Sequence, residues 1–369
     1  MERVLRIVIG VLLLASVAVA RQAGGQEDVT RAASVGRLRT VAPEPSTTVT
    51  EPETTTTTAV AETTVPPTSV AVAATPPPTA RVARAPRTAR PAPVVAVAPS
   101  VAAGLVPYTG LGTWVDVYDW SQTYTRDGAP AVDAATVDAM ADAGVQTLYL
   151  QASKHDAPTD VLEPERLLPI IDRAHRRGVR VVAWYLPTLV DTAHDLRRIL
   201  AIASLEIDGL AVDIEARNVS DVNERNRRLV EFSTSLRNAL PEQAIGAIVL
   251  PPVVLEEVNP NYWPDFPYTA LAPLYDAWQT MGYWTNRKAS SGWRNAHDYT
   301  VENVVRLRRN LGRPDAVVHP IGGIGDATTA ADIDGFRRAV GETHGVGGSL
   351  YDWRTTKADA WPALRGLRA

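Results

Sequence analysis

From residue 112 to the end of the chain, short apolar runs of β-like composition alternate with stretches of helical periodicity. Eight such alternations fit within about 260 residues, which is the size and rhythm of a (β/α)8 barrel. The β-like runs lie at residues 112–119, 145–151, 179–186, 208–215, 244–250, 277–283, 316–321 and 347–353. The helical stretches lie at residues 131–143, 163–177, 192–205, 219–240, 301–311, 330–343 and 358–367. The sequence therefore predicts an α/β fold, a (β/α)8 TIM barrel.

A doubly wound open sheet is the competing arrangement for the same alternation. That fold usually carries a glycine-rich phosphate-binding turn after its first strand. Here Gly110 and Gly112 precede or open the first run instead, which argues against the open sheet. Residues 322–325 read Gly-Gly-Ile-Gly at a place where barrels often bind phosphate, but no GK[ST] sequence follows. We interpret this segment as a tight turn.

The chain before the barrel has a different composition. Residues 1–20 combine two arginines with an apolar run that ends in Ala-Val-Ala, which is typical of a cleaved signal peptide. An uncleaved membrane anchor stays open, although the run is shorter than the roughly 20 residues that a span needs. Residues 21–104 are rich in Thr, Pro and Ala and hold no aromatic residue, which predicts a disordered linker.

These features together predict an extracytoplasmic protein, either secreted or tethered to the cell envelope. The barrel domain is expected at residues 105–369, and membrane contact is expected only through the N-terminal segment if it stays uncleaved. We expect a monomer.

Charge and cysteine content narrow the functional classes. The net charge is −4 and cysteine is absent, which excludes a disulfide scaffold, a thiolate metal site and a cysteine nucleophile. Nothing indicates nucleic-acid binding, which usually needs a clustered basic surface. The sequence has no HExxH motif, no paired histidines, no dense aspartate cluster and no GxSxG elbow. We therefore expect neither a metal nor a cofactor.

The fourth β-like run holds the most informative side chains. Side chains alternate between the two faces of a strand, so Ala211, Asp213 and Glu215 share one face. The apolar residues of the other face are expected under the helices, which places two carboxyl groups inside the barrel near the carboxyl ends of its strands. Two acids so close in a confined site cannot both ionise freely, so one is expected to stay protonated near neutral pH. A general acid for glycosidic cleavage needs that property.

Three motifs resemble family 18 glycoside hydrolases, the chitinases and their relatives. Residues 208–215 read Asp-Gly-Leu-Ala-Val-Asp-Ile-Glu and resemble the strand-four DGxDxDxE motif of that family. Residues 281–284, Met-Gly-Tyr-Trp, resemble its MxYD element on strand six. Trp353 ends the eighth run, where the family places the tryptophan beneath the −1 sugar. The three motifs follow in the order of the barrel strands.

The resemblance implies roles for four residues. Glu215 would be the general acid/base, and Asp213 would orient the N-acetyl group whose carbonyl oxygen attacks the sugar. Tyr283 would hydrogen-bond that acetamido group, and Trp353 would stack beneath the sugar ring. Two positions depart from the family: Ala211 replaces the middle aspartate of the first motif, and Trp284 replaces the aspartate of the second.

Other strand ends supply further candidates for substrate binding, because aromatic rings stack on sugar faces and carboxylates bind hydroxyl groups. These candidates are Asp116, Tyr118, Gln151, Trp184, Gln279, Trp284 and Asp352. Asp116 is the expected substitute if Asp213 cannot act as the second carboxyl group.

The sequence thus predicts a glycoside hydrolase-like protein acting on a polysaccharide or cell-wall glycan, with N-acetylhexosamine as a candidate unit. The alternative is a catalytically inactive barrel that binds cell-wall glycan or a protein partner. Ala211 and Trp284 are the residues that favour the alternative.

Overall fold

Nine parallel strands form one sheet in the part of the chain that the computed structural model describes, residues 102–369. The strands are β1 (Gly110–Val115), β2 (Thr147–Gln151), β3 (Arg180–Tyr185), β4 (Gly209–Ile214), β5 (Ile245–Val249), β6 (Ala277–Thr280), β7 (Val317–Val318), β8 (Ile321–Ile324) and β9 (Gly347–Tyr351). Consecutive strands pair from β1 to β7, and β9 pairs with both β1 and β8. A bridge between Met281 and Ile321 joins the two edges of the sheet.

Strands β7 and β8 are two halves of the seventh strand of the barrel. His319 and Pro320 separate them, and a proline has no N–H to donate to the sheet. Counted in this way, the sheet has the eight strands that the sequence predicts. The α/β, (β/α)8 fold class is confirmed.

Helices surround the sheet and fill the crossovers between its strands. They are α1 (Val117–Trp120), α2 (Thr136–Ala143), α3 (Pro164–Arg176), α4 (Thr192–Ala203), α5 (Val222–Ala239), α6 (Tyr268–Leu271), α7 (Ala296–Leu311), α8 (Ala330–Glu342) and α9 (Trp361–Leu364). The starts of α4 and α5 follow from local chemistry, because the side chains of Asp191 and Asp221 accept backbone N–H groups of their first turns. The crossover after β5, for which the sequence shows no helical stretch, holds a five-residue π-helical segment, Val254–Val258, and the short α6.

The first strand is shorter than the sequence predicts. Asp116 Oδ1 accepts the backbone N–H of Tyr118 at 2.8 Å and begins the one-turn helix α1. The expectation of a strand through residue 119 is therefore wrong after Val115, and Asp116 and Tyr118 do not share a strand face.

Tyr108 closes the amino-terminal end of the barrel. Its buried hydroxyl lies 2.7 Å from the carbonyl oxygen of Leu210 and 2.8 Å from that of Ala244. A Cβ built on Gly209 would lie 3.1 Å from the same hydroxyl, so Gly209 faces the interior. By strand alternation, Ala211 and Asp213 face the interior too, towards the open carboxyl end.

The predicted segments at residues 1–20 and 21–104 lie outside the described residues, apart from the last three of the linker, and the domain boundary at residue 105 stays a prediction. Between residues 102 and 369, no helix combines the length and the apolar character that crossing a membrane requires.

Candidate active site

Strand β4 brings Asp213 and Glu215 to the carboxyl end of the barrel. Asp213 is 6% exposed, and its Oδ1 has no hydrogen-bond partner. Burial, and after it the charge of Glu215, raises the pKa of Asp213 well above its ordinary value. Burial alone raises the pKa of Glu215 to about 7. Glu215 thus keeps its proton up to neutral pH, as the sequence predicts for one of the two acids.

Tyr283 lies at the centre of the site. Burial raises its pKa, and the charges of Glu215, Asp213, Asp352 and Asp116 raise it further, so four carboxyl groups lie near one phenol. Its ring meets the ring of Tyr351 edge to face, with the centroids 5.6 Å apart. Tyr283 therefore connects the two acids at the carboxyl end of β4 with Asp116 and Asp352, which directly follow β1 and β9.

The second group of acids contains Asp116, Asp119 and Asp352, all buried. Their carboxylate oxygens include a set that lies within 4.8 Å of one another. Asp116 Oδ2 accepts the hydroxyl of Tyr351 at 3.1 Å, and Asp119 Oδ1 accepts Arg354 Nη1 at 2.9 Å. The three residues are scattered in the sequence, and the closure of the barrel brings them together.

Burial and mutual repulsion act on these acids. Burial, followed by the charges of Asp119 and Asp352, raises the pKa of Asp116 well above its ordinary value. Burial and the charge of Asp119 raise the pKa of Asp352 to about 6. The three oxygens are close enough together for their ionised forms to contact one cation.

A layer of aromatic rings lies beneath the acids. Trp114 stacks on Tyr149 with centroids 4.2 Å apart and meets Trp184 edge to face at 6.2 Å. Trp184 pairs in register with Ala211, so the small side chain of Ala211 lies beside this indole. An aspartate at position 211 would put a carboxyl group beside the aromatic layer.

A buried polar chain fixes the Trp114 ring. Trp114 Nε1 donates to Ser349 Oγ at 2.8 Å, and Ser349 Oγ lies 3.1 Å from His319 Nε2. His319 Nδ1 lies 2.9 Å from the carbonyl oxygen of Tyr108. Burial lowers the pKa of His319 to about 4, so the ring is neutral and can donate through Nδ1 and accept through Nε2. His319 is thus a buried core residue with both ring nitrogens hydrogen-bonded.

Two glutamines among the predicted substrate-binding residues lie in the wall or in the interior of the barrel. Gln151 Oε1 accepts the backbone N–H of Val117 at 3.1 Å and so holds the start of α1. Gln279 is fully buried, and its amide atoms would lie about 3 Å from a Cβ built on Gly246, which itself lies beside Tyr108. Gln279 is therefore deep in the barrel, near its closed end.

Three predicted aromatic residues pack on rings other than that of Tyr283. Trp284 is fully buried and packs on Phe336 of α8, with centroids 5.3 Å apart. Trp353 packs on Trp361 of α9, at 5.1 Å. Tyr118 is 39% exposed and meets Tyr124 edge to face. Tyr351, two residues before Trp353, has the hydroxyl that donates to Asp116.

Two residues near Glu215, Arg217 and Tyr262, are not predicted from the sequence. The charge of Glu215 contributes, after burial, to raising the pKa of Tyr262 to about 12, and Arg217 covers the Tyr262 ring at 4.5 Å. Tyr262 belongs to the irregular crossover after β5, where no periodic pattern marks it. Asp119 was missed for a similar reason, since it follows the strand on a helical turn.

Comparison with known proteins identifies solved structures that share the fold of this chain. No protein-family model and no curated protein sequence matches the chain. A class V chitinase from Pseudomonas fluorescens Pf-5 superposes with a TM-score of 0.51 at 13% identity, covering 70% of this chain and 100% of the chitinase. The spore cortex-lytic enzyme SleL of Bacillus cereus gives 0.52 at 10% identity, covering 71% of this chain and 74% of SleL.

A further solved glycoside hydrolase gives a TM-score of 0.51 at 12% identity, covering 71% of this chain and all of the other. The chain has the fold of these glycoside hydrolases. The similarity confirms the fold that the resemblance to family 18 implied. At these identities it extends to the fold alone, and the chemistry has to be argued from the site.

Proposed function

We propose that the protein is a glycoside hydrolase acting on a polysaccharide or cell-wall glycan. The observation that carries the proposal is Glu215, a carboxyl group at the carboxyl end of the barrel whose pKa burial raises to about 7. A protonated carboxylic acid can give its proton to the glycosidic oxygen as the C–O bond breaks. The glycoside hydrolase fold and the acids facing Tyr283 support the same reaction.

The other side chains support the reaction in different ways. In the mechanism that the resemblance implies, Asp213 and Tyr283 hold an acetamido group whose carbonyl oxygen attacks the anomeric carbon. Glu215, having lost its proton to the leaving oxygen, then takes a proton from the incoming water. Asp116, oriented by the Tyr351 hydroxyl, is the second carboxyl group available if Asp213 does not act.

The test is hydrolysis of wall-type and chitin-type oligosaccharides by the full-length chain, by Glu215→Gln and by Glu165→Gln. Removing a general acid costs on the order of 100-fold or more in rate, so Glu215→Gln is expected to lose at least that much. Glu165 is an exposed residue of α3, and the same substitution there is expected to leave the rate unchanged. Equal rates for both variants would refute the assignment of Glu215.

The second candidate is a barrel that binds glycan, or a protein partner, without cleaving it. The observation that favours it is the packing at positions 211 and 284, where aromatic surroundings leave the site without two carboxyl groups of the family motifs. Binding by the wild type and by Glu215→Gln with equal affinity, and cleavage by neither, would establish this function.

We also propose that the barrel acts outside the cytoplasm, secreted or tethered to the envelope. The N-terminal sequence supports this proposal through its signal-like residues 1–20 and its Thr/Pro/Ala-rich residues 21–104. Fractionation of cells that express the full chain, with N-terminal sequencing of the product, tests it. Recovery of the intact chain in the cytoplasm would contradict it.

A further inference from the structure

We propose that the site binds a protonated amine, so that the substrate class is a polysaccharide of hexosamine units whose amino groups are free. The inference rests on the proposed function, because it names the substrate of the same site. A free amine has no carbonyl oxygen to attack the anomeric carbon, so Asp116 would then be the second carboxyl group of the reaction. We define the acidic mouth as the carboxyl groups of Asp116, Asp213, Glu215 and Asp352 around Tyr283.

No direct salt bridge within the described part of the chain neutralises the acids of the mouth. Among residues 102–369, no lysine, arginine or histidine forms a salt bridge with any of the four acids of the mouth, and Arg354 pairs with the neighbouring Asp119 instead. Buried charges are normally paired, because an isolated one is costly to remove from water. Four acids without a direct salt bridge around one phenol, with only the nearby charge of Arg354 acting on Asp352 and Asp116, therefore suit a ligand that brings a positive charge.

Two buried carboxylate oxygens at or beside the mouth lack hydrogen-bond donors. Asp213 is more than nine-tenths buried, faces the interior from β4, and has an Oδ1 without a partner. Asp119, beside the mouth, is also more than nine-tenths buried, and its Oδ2 has no partner either. Buried carboxylate oxygens are usually hydrogen-bonded, so these atoms mark places where a donor can bind. An ammonium group offers three N–H donors.

An ammonium group at C2 of the sugar fits the acids of the mouth better than a neutral substituent does. The resemblance assigns that substituent, an acetamido group in chitin, to Asp213 and Tyr283. An acetamide is neutral and offers one N–H donor, whereas an ammonium group offers three donors and a positive charge that pairs with the ionised form of the acids. A hydroxyl group is neutral as well. Because the acids of the mouth have raised pKa values, an ammonium bound among them favours their ionised forms and releases protons.

The experiment compares three β-1,4-linked tetramers that differ at C2: glucosamine, N-acetylglucosamine and glucose. Isothermal titration uses the full chain carrying Glu215→Gln, which is expected to prevent cleavage and keeps three acids of the mouth. We expect the glucosamine tetramer to bind at least about tenfold more tightly than either of the others, as for a charge-assisted contact. Adding Asp352→Asn is expected to reduce the preference for the glucosamine tetramer below about threefold. The affinity for the two neutral tetramers is expected to stay unchanged.

Asp315→Asn in the same background is the matched control. Asp315 is exposed on the loop before β7, at the closed end of the barrel. The substitution Asp315→Asn changes the net charge by the same amount as Asp352→Asn. The preference for glucosamine is expected to survive it. Loss of the preference in both variants would show a general effect of net charge and overturn the proposal.

Three further results would overturn it. They are equal or tighter binding of either neutral tetramer, equal weakening of all three tetramers by Asp352→Asn, and displacement of the glucosamine tetramer by Ca²⁺ at micromolar concentration. The last result would show a metal site.

The wild type separates this inference from the proposed function. Cleavage that depends on Glu215 but prefers the acetylated tetramer would leave the hydrolase standing and refute the amine site. Selective binding of the glucosamine tetramer without cleavage of any tetramer would support the amine site and refute the hydrolase.

Discussion

Single residues decide the chemistry of this site, and part of that chemistry is visible in the sequence. Asp213 and Glu215 were predictable because the alternation of β4 alone assigns them to one face. The contact between Asp116 and Tyr351 joins residues 235 positions apart, so it depends on how the first and last strands meet. Asp119 lies on a helical turn, where the alternation that marks an inward-facing residue no longer applies.

The raised pKa of Glu215 predicts a pH-dependent stability. The folded state holds this proton up to about pH 7, whereas the unfolded chain loses it near the ordinary value of 4.5. The stabilising contribution is therefore complete below the unfolded value and is lost as pH rises through about 7. Between pH 6 and pH 8 the free energy of unfolding of the wild type is expected to fall by about 1 kcal/mol more than that of Glu215→Gln.

Urea unfolding of both proteins at the two pH values measures this difference. Glu165→Gln, with the same chemical change on an exposed helix, is expected to behave as the wild type. A difference of zero between the wild type and Glu215→Gln would mean that Glu215 titrates normally in the folded protein.

At the scale of elements, strands and helices followed the sequence pattern, and the departures have local causes. Strand β1 stops because Asp116 caps a helical turn, and the seventh barrel strand is split at His319 and Pro320. The Gly-Gly-Ile-Gly segment, interpreted as a turn, lies largely within β8. Its glycines are needed because the Trp284 ring covers them: a Cβ on Gly322 or Gly323 would lie under 3 Å from that ring.

The last glycine of that segment gives a test of packing. A Cβ on Gly325 would lie 2.5 Å from the Cα of Thr356, so Gly325→Ala forces two backbone segments apart. We expect a loss of about 1–3 kcal/mol in the free energy of unfolding, as for other overpacked sites. Gly341 in α8 has no such neighbour within 4 Å, and Gly341→Ala is expected to stabilise by about 0.5–1 kcal/mol.

Thermal or chemical unfolding of the two variants distinguishes these effects. Equal stability of Gly325→Ala and Gly341→Ala would contradict the close approach of residues 325 and 356.

At the scale of the whole molecule, the sequence predicts a linker at residues 21–104 ahead of one barrel at residues 105–369. Brief treatment of the full chain with a protease of broad specificity is expected to degrade the linker and to leave a fragment that begins within a few residues of 105. Mass spectrometry of the fragment measures the boundary. Early cuts inside the barrel, with residues 21–104 protected, would contradict the predicted organisation.

Closure of the barrel places the half-buried Glu215 at its mouth and brings four acids near Tyr283. The eightfold alternation predicted that closure. The pairing of particular side chains across the mouth follows from strand register and from the turn at α1, which composition and periodicity do not determine.

The central claim is that Glu215 delivers a proton at the mouth of the barrel. The pH dependence of kcat/KM on a cleaved oligosaccharide tests it most directly, because that profile reports the ionisation of the free enzyme. The account predicts a rate that falls as pH rises through about 7, and a loss of at least about 100-fold in Glu215→Gln. A rate that keeps rising above pH 7, or full activity in Glu215→Gln, would contradict it.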